Sequence, residues 1–388
     1  MSLIVIYNPV CGHGTAKSLF EEKVIPLIKE QGKQIHGVFE TAHAGHSGEI
    51  VLDHLRSFSQ DLTIVLGSGD GTLHEIINAV KSFSSSEPRE ITFALVPCGT
   101  ANALYYSLFP PTSQEDVNDS AYALRSLTSF LSSNKSIPLT FALTSVSSAD
   151  GEGVSTETSI SVVVASTSLH ASILHDSEAL RETIPGIDRF KIAAQQNITR
   201  WYSARAKLLP KPGFSSVELY DPNEDRFIQL EHPVVLEGPF AYFLSTVNVD
   251  RLESAFRITP FHRASGTVTQ SLEVVILRPL RHPNINDPSD QSKTQFAATS
   301  GFVLGGAYRD GAHVRMRYNE DGSITEDGHG ESVIEYYRCG GWEWSPEASD
   351  PTAHLVCLDG AILKIPPGGT ASCNTTRAVD GIEFLVFT

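Results

Sequence analysis

Residues 62–80, "LTIVLGSGDGTLHEIINAV", hold an apolar run, a Gly-Ser-Gly-Asp-Gly turn, and a segment in which Leu73, Ile76, Ile77 and Val80 recur at helical spacing. The run has the length of a buried strand, and the recurrence marks one apolar helix face. Between them the turn sets Asp70 among glycines at positions 67, 69 and 71. Aspartate is a preferred helix N-cap, but capping needs no glycine on either side. Glycine admits backbone conformations closed to other residues and lets a ligand approach the main chain. The carboxyl edge of an open α/β sheet, where strands hand over to helices, is also where such folds hold their ligands.

The same rhythm extends in both directions. "LIVIY" precedes a stretch with Ala16, Leu19, Phe20, Val24, Leu27 and Ile28 on one face, and "ITFALVP" precedes "TANALYYSLF". Strands alternating with amphipathic helices predict an α/β domain over residues 1–136, its mostly parallel sheet covered on both faces. After Pro138 the texture changes to β-branched, alternating runs such as "SISVVVAST", "FAYFLSTVNV" and "SLEVVILRP". These predict a C-terminal antiparallel β-sandwich over residues 137–388 with few helices. One helix is expected at residues 190–209, "FKIAAQQNITRWYSARAKLL". The polar stretches "SVSSADGEGVSTETS" and "RHPNINDPSDQSKTQ" read as solvated loops.

Bulk properties agree with two domains, since 388 residues with 41% hydrophobic side chains exceed one comfortable core. A formal charge of -16 argues against a partner gripped by a basic surface, which excludes nucleic acid. Peripheral contact with a membrane would have to be local or apolar. The five cysteines are odd in number and form no CxxC pair, so neither a disulfide framework nor a zinc site is expected, and a reducing cytoplasmic setting fits. No 18-residue uncharged apolar run occurs, and "MSLIVIYNP" reads as a strand rather than a leader. Asn118, Asn197 and Asn374 head Asn-x-Ser/Thr triplets, which have no use without a secretory signal. The oligomeric state is not encoded in any motif.

Two further turns resemble the first in kind. "NPVCGHGTA" carries Gly12 and Gly14 where a strand ends, so that backbone N–H groups can approach an anion. "PCGTANAL" carries Gly99, with Thr100 and Asn102 as short polar groups near a helix start. Three glycine turns along one sheet suit phosphoryl transfer. That chemistry asks for backbone donors on phosphates, a carboxylate near Mg2+, and a base for the attacking hydroxyl. Asp70 could fill either carboxylate role.

Through "NPVCGHG", "GSGDGTLHEIINA" and "PCGTANAL", in this order and spacing, the chain resembles the diacylglycerol kinase catalytic-domain superfamily, and within it the sphingosine kinases. Turns of the GGDGT kind also occur in NAD kinases and phosphofructokinases, whose fold the first domain is expected to share. The Pro-x-Gly-Thr-x-Asn-x-Leu form is that of lipid kinases. "LHASILHDSEALRETIPGIDRFKIA" is similar to the sphingosine kinase segment with a Ser-Glu-x-x-Arg element and a later Arg-Phe. The resemblance implies ATP and Mg2+ as cofactors, an ATP cleft between the domains, and an apolar lipid pocket in the second. It implies nucleotide contacts at Asn8, Gly12, Gly14, Thr41, Ser68, Gly69, Gly71, Gly99, Thr100, Asn102 and Gly360, with Arg181 and Arg189 on the phosphates. Asp70 would be catalytic, Glu75 its support, and Asp359 a metal-side carboxylate.

Some positions depart from the family pattern. The family's Asp-Gly-Glu triplet near the C-terminus corresponds to "HLVCLDGAILKIPPGG", in which the last acid is Ala361. Such a loss around a metal typically costs roughly 10- to 100-fold in affinity or activity. "SILH" stands where sphingosine kinases carry their amine-binding acid, with Asp176 close by. Thr72 follows the diacylglycerol kinases, His74 leans toward the sphingosine kinases, and His13 replaces a common lysine. The expected function is an ATP-dependent lipid kinase acting on a hydroxyl of a sphingoid base, diacylglycerol or related amphiphile. The alternatives are a weakened or inactive lipid- or nucleotide-binding protein on the same fold, and a kinase of a soluble hydroxylated metabolite.

Overall fold

Strands β1 (Ser2–Tyr7), β2 (Gly37–Glu40), β3 (Leu62–Ser68) and β4 (Arg89–Pro97) pair in parallel in the order β2-β1-β3-β4. They belong to a computed structural model that describes residues 2–83, 88–113, 116–117, 119–132, 135–148, 157–184, 186, 188–231, 233–262 and 270–388. Every residue of β1 and β3 is buried, as continuous apolar runs are when helices cover both sheet faces. The helix Asp70–Val80 buries Thr72, Leu73, Ile76, Ile77 and Val80, so the spacing read at 62–80 is the packed face. Its neighbour, His46–Ser57, lies close against it: a Cβ on Gly48 would stand 2.5 Å from Cβ of Ala79. The stretch after β1 is a helix in three parts. Ala16–Leu19 and Ile25–Glu30 are α-helical, and Phe20–Val24 between them is a π-turn. The Phe20 ring packs where a side chain on Gly67 would be, 2.2 Å from that missing Cβ.

The chain divides into two units, one of Met1–Phe141, Arg251–Ser254 and Thr376–Thr388, the other of Ala142–Asp250 and Ala255–Thr375. The expected boundary at 136/137 leaves out the return of the C-terminus. Strand Ile382–Phe387 adds to β4 in parallel, and Ser136–Pro138 and Ala378–Val379 pair antiparallel with it. Its alternation of Ile382, Phe384 and Val386, all fully buried, is compatible with either domain, so only tertiary pairing assigns it.

The second unit consists of two antiparallel sheets, as expected for a sandwich. In sheet order the eight-stranded one is Arg226–Glu231, Ser216–Asp221, Glu335–Cys339, Leu272–Leu277, Tyr242–Thr246, Val164–Thr167, Leu355–Leu358 and Ala361–Lys364. The six-stranded one is Val234–Glu237, Ala204–Leu209, Gly341–Pro346, Thr370–Thr376, Phe141–Ser147 and Glu157–Ser161. Facing rings fill the space between them: Phe243 meets Trp342 at 5.6 Å and Trp344 at 5.2 Å, and the Trp342 indole N–H donates to Ser245 Oγ at 3.0 Å. Inward aromatic residues from both sheets are the usual core of this architecture.

Two sequence expectations change here. The helix expected at 190–209 runs only over Asp188–Asn197, and Ala204–Leu209 is a strand. Its buried Ala204, Ala206 and Leu208 alternate with Arg205, Lys207 and Leu209, the period of two that a helical reading overlooks. The expected loop at 281–295 contains the start of a helix, Asp290–Gly305, whose N-cap Ser289 accepts the N–H of Ser292. Of the Asn-x-Ser/Thr triplets, Asn197 is fully buried and donates to Asp176 Oδ2 and Ala193 O, each at 2.8 Å. Asn118 lies outside the described residues, as do 149–156 of the expected loop at 145–159. No described helix is long and apolar enough to cross a membrane.

Candidate active site

The register of the first sheet brings the glycine turns together. Tyr7 pairs with Gly67, Gly67 with Val96, and Ser68 with Pro97, so β1, β3 and β4 end side by side. Thr41, just past β2, joins this edge by donating its N–H to Tyr7 O at 3.0 Å. Asn8 donates its N–H to Gly67 O at 2.9 Å, and its Oδ1 accepts from Val10 at 3.1 Å, which sets the course of the first turn.

The turns touch through backbone. A Cβ on Gly12, where φ is +54°, would lie 2.3 Å from Cys98 O. A Cβ on Gly99 would lie 2.3 Å from Gly69 Cα and 2.7 Å from Gly69 N. Only glycine allows these approaches. Asn102, at φ 52° and buried, closes the third turn on itself. Its Oδ1 accepts the Gly99 N–H at 2.9 Å, and its Nδ2 donates to Gly99 O at 2.8 Å. Gly71 faces open space. Ser68 is buried, with its hydroxyl donating to Gly69 O, and Thr100 is exposed. Among the described residues, the N–H groups of Gly12, His13 and Thr100 donate to no acceptor of the chain.

Asp70 begins the helix Asp70–Val80 but does not cap it. Its Oδ2 accepts the Ala103 N–H at 2.7 Å and its Oδ1 the Leu104 N–H at 3.1 Å, so it caps the next helix, Ala103–Leu108. A cavity of ≈ 20 Å³, lined by Ser68, Gly69, Asp70, Pro97, Asn102 and Tyr105 among others, adjoins it. That is room for about one water. Burial raises the Tyr106 hydroxyl above its ordinary range, opposed by its hydrogen bond to Asn102 and reinforced by the Asp70 charge. Positive charge is sparse at this edge. Lys17 is engaged by Glu40 at 3.2 Å, and His13 is exposed.

These turns lie within residues 2–129, which match the family model described as the diacylglycerol kinase catalytic domain. It is 36% identical over 113 residues to sphingoid long chain base kinase 5 of Saccharomyces cerevisiae, covering 27% of this chain and 15% of that protein. It is 29% identical over 219 residues to sphingosine kinase 1 of Arabidopsis thaliana, covering 55% of this chain and 41% of that one. The chain thus spans less than half the length of these curated relatives. A crystal structure of a diacylglycerol kinase from Bacillus anthracis str. Sterne shares the fold, with TM-score 0.50 at 12% identity over 99% of this chain and 96% of the other.

Within the matched residues 2–129, Glu75 accepts a hydrogen bond from Ser47 on the neighbouring helix at 3.0 Å, a partner that no local sequence signal marks. Arg181, Arg189, Asp359 and Gly360 lie in the second unit. Arg181 is exposed and paired with Glu178 at 2.8 Å, and Arg189 stacks on Phe190 at 4.6 Å. Asp359, at φ 50°, accepts the N–H groups of Val162, Val163 and Val164 at 2.6, 2.9 and 2.8 Å. That carboxylate organises backbone, as does Asp70. Gly360 follows at φ +100° in open space. No described group of three or more His, Cys, Asp or Glu is placed to hold a metal ion.

Proposed function

We propose that this chain is an ATP-dependent lipid kinase of the cytoplasm, acting peripherally at membranes, whose acceptor is a hydroxyl of a long-chain lipid such as a sphingoid base or diacylglycerol. The observation that carries the reading is the backbone cradle at the sheet's carboxyl edge, formed by Gly12, Gly69 and Gly99, with Asp70 beside it. ATP supplies the phosphoryl group. The free N–H groups of Gly12, His13 and Thr100 suit anionic oxygens, and the cradle keeps them fixed before charge develops. Asp70 Oδ2 and Oδ1 accept the N–H groups of Ala103 and Leu104, which fixes the carboxylate at the edge where it would take the acceptor's proton or orient a metal-bound water. Mg2+ would be held chiefly by phosphate oxygens and water, as it commonly is, with Asp70 as the candidate carboxylate among the turns. Arg181 and Arg189 are proposed phosphate contacts on the family resemblance and on their guanidinium chemistry.

The test is transfer of label from ATP with Mg2+ to a panel of sphingosine, diacylglycerol, ceramide and NAD, beside the Asp70→Asn variant. A labelled lipid that disappears in the variant supports the reading and names the acceptor. Labelled NAD alone would replace it with a soluble-metabolite kinase.

Ala361 favours a second reading, in which the fold binds lipid or nucleotide with weak turnover or none. It is exposed at the first position of strand Ala361–Lys364, so Ala361→Glu introduces an acid without repacking. A gain of about tenfold or more in turnover would identify a degraded kinase, and no gain in a protein that still binds nucleotide would favour the binder.

A further inference from the structure

Five cysteines are unpaired in this structure, and two of them meet at the cradle. Cys11 lies in the first glycine turn and Cys98 is the first residue of the third. The turns already touch, with the Cβ position of Gly12 only 2.3 Å from Cys98 O. Cys98 is buried in the cluster that contains Tyr7, Ala16 and Phe20, and the half-buried Cys11 packs against the same cluster. Each of the two cysteines bears on the other's ionisation, and Cys11 Sγ donates to Asn8 O at 3.0 Å. Cys98 holds the Cys11 thiol below its ordinary range, against the opposing effect of burial. The remaining cysteines are unlike this pair. Cys339, Cys357 and Cys373 are fully buried among the sandwich strands, and burial pushes the last two up to about 12. A solvent oxidant reaches the edge of the first sheet more readily than that interior, and reactivity follows thiolate character and exposure.

We propose that Cys11 and Cys98 are an oxidation site at which a peroxide forms a reversible disulfide, tying the first glycine turn to the third and closing the cradle to anions. Cys11 sulfur attacks one oxygen of hydrogen peroxide, the O–O bond breaks, and Cys11 becomes a sulfenic acid. The released hydroxide leaves as water with the proton lost by the thiol. Cys98 sulfur then attacks Cys11 sulfur and the S–O bond breaks. The second hydroxide takes the Cys98 proton and leaves as water. Two thiols lose two electrons in all, and one peroxide is reduced to two waters. Bonded sulfurs stand about 2.05 Å apart, well inside the contact distance of two unbonded sulfurs, so the turns must draw together. Gly12 is already at contact with Cys98 O, which leaves the loop from Asn8 to Gly14 to give way. That movement displaces the free N–H groups of Gly12 and His13. The linkage is independent of the kinase reading, and its effect on nucleotide rests on that reading.

The experiment uses the full chain, reduced and then treated with a small excess of hydrogen peroxide, beside Cys11→Ser and Cys98→Ser. Peptide mapping without reduction should find Cys11 joined to Cys98, and the free-thiol count should fall from five by two. Cys98→Ser should stop at a sulfenic acid that dimedone traps on Cys11. Binding of a fluorescent ATP analogue should weaken at least tenfold on oxidation and recover with dithiothreitol. Cys11 overoxidised with no cross-link, or both thiols unreacted, would overturn the site. A cross-link that leaves analogue binding unchanged would overturn the closure. If the reduced protein binds no analogue while the cross-link forms, the nucleotide reading fails and the oxidation site stands.

Discussion

The Asp70 carboxylate accepts the backbone N–H of Ala103 at 2.7 Å, so the residue that opens one helix caps the next. A single side chain thereby fixes the spacing of the second and third glycine turns. On the proposed reading of Asp70 as the base, catalysis gains from this arrangement, because a base that is also a cap has little freedom to leave its place.

The two roles separate by substitution. Asp70→Asn keeps one oxygen for the cap and removes the charge, and Asp70→Ala removes both. On the proposed reading both variants lose turnover by about 100-fold or more. Stability should fall by about 1 kcal/mol for Ala and by less for Asn. Thermal unfolding and label transfer measured on the same samples check this. Turnover preserved in either variant would confine Asp70 to structure.

The glycines of the cradle predict a contrast. Gly99→Ala places a methyl group 2.3 Å from Gly69 Cα, where only backbone movement can relieve the clash, and should cost about 1–3 kcal/mol together with nucleotide affinity. Gly71→Ala meets nothing within 4 Å and sits in a helix, so stability should hold or rise by up to about 1 kcal/mol. If the backbone of Gly71 touches phosphate, that variant keeps its fold and still loses affinity. Denaturant titration and nucleotide titration distinguish these outcomes.

Asp359 predicts a loss of stability. Replacing it with alanine leaves the N–H groups of Val162, Val163 and Val164 without their acceptor. The cost should be about 3 kcal/mol. An equilibrium unfolding curve within about 0.5 kcal/mol of wild type would show that solvent replaces the carboxylate there.

His313 predicts an acid-side weakness. It is fully buried, and burial pushes it down to about 4. Its Nε2 bonds to Ile258 O at 2.9 Å. The unfolded chain has an ordinary histidine that takes up a proton near pH 6.5, while the folded one stays neutral. Protons therefore favour the unfolded state. The contribution of His313 is intact above about pH 6.5 and is lost as pH falls from there toward 4, by about 2 kcal/mol at pH 5. The stability difference between pH 7 and pH 5 should shrink in His313→Gln, and an unchanged difference would place the acid sensitivity elsewhere.

Periodicity and turn chemistry carried most of the first unit. The apolar runs of β1, β3 and β4 are buried strands, and the glycines of three turns do meet at one sheet edge. What local reading could not reach was partnership across the chain. The acceptor role of Asp70 toward Ala103, the Ser47–Glu75 bond, and the approach of Gly12 to Cys98 each join segments that only sheet register brings together. In the second unit, "ARAKLL" followed a true helix closely enough for its period of two to be absorbed into a period of 3.6. Ser289, a good N-cap, sat in so polar a stretch that it read as loop.

The strand Ile382–Phe387, laid beside β4, sets an order of events during biosynthesis. At about 5–20 residues per second, a ribosome takes tens of seconds to pass from β4 to that strand, because nearly the whole second unit is made between them. Until then β4 has a vacant side, and long unpaired strand edges invite wrong partners. The nascent first unit therefore waits for a strand made after nearly all of the second unit. Shortening the chain by its last seven or eight residues would strike the glycine-turn sheet at the far end of the sequence.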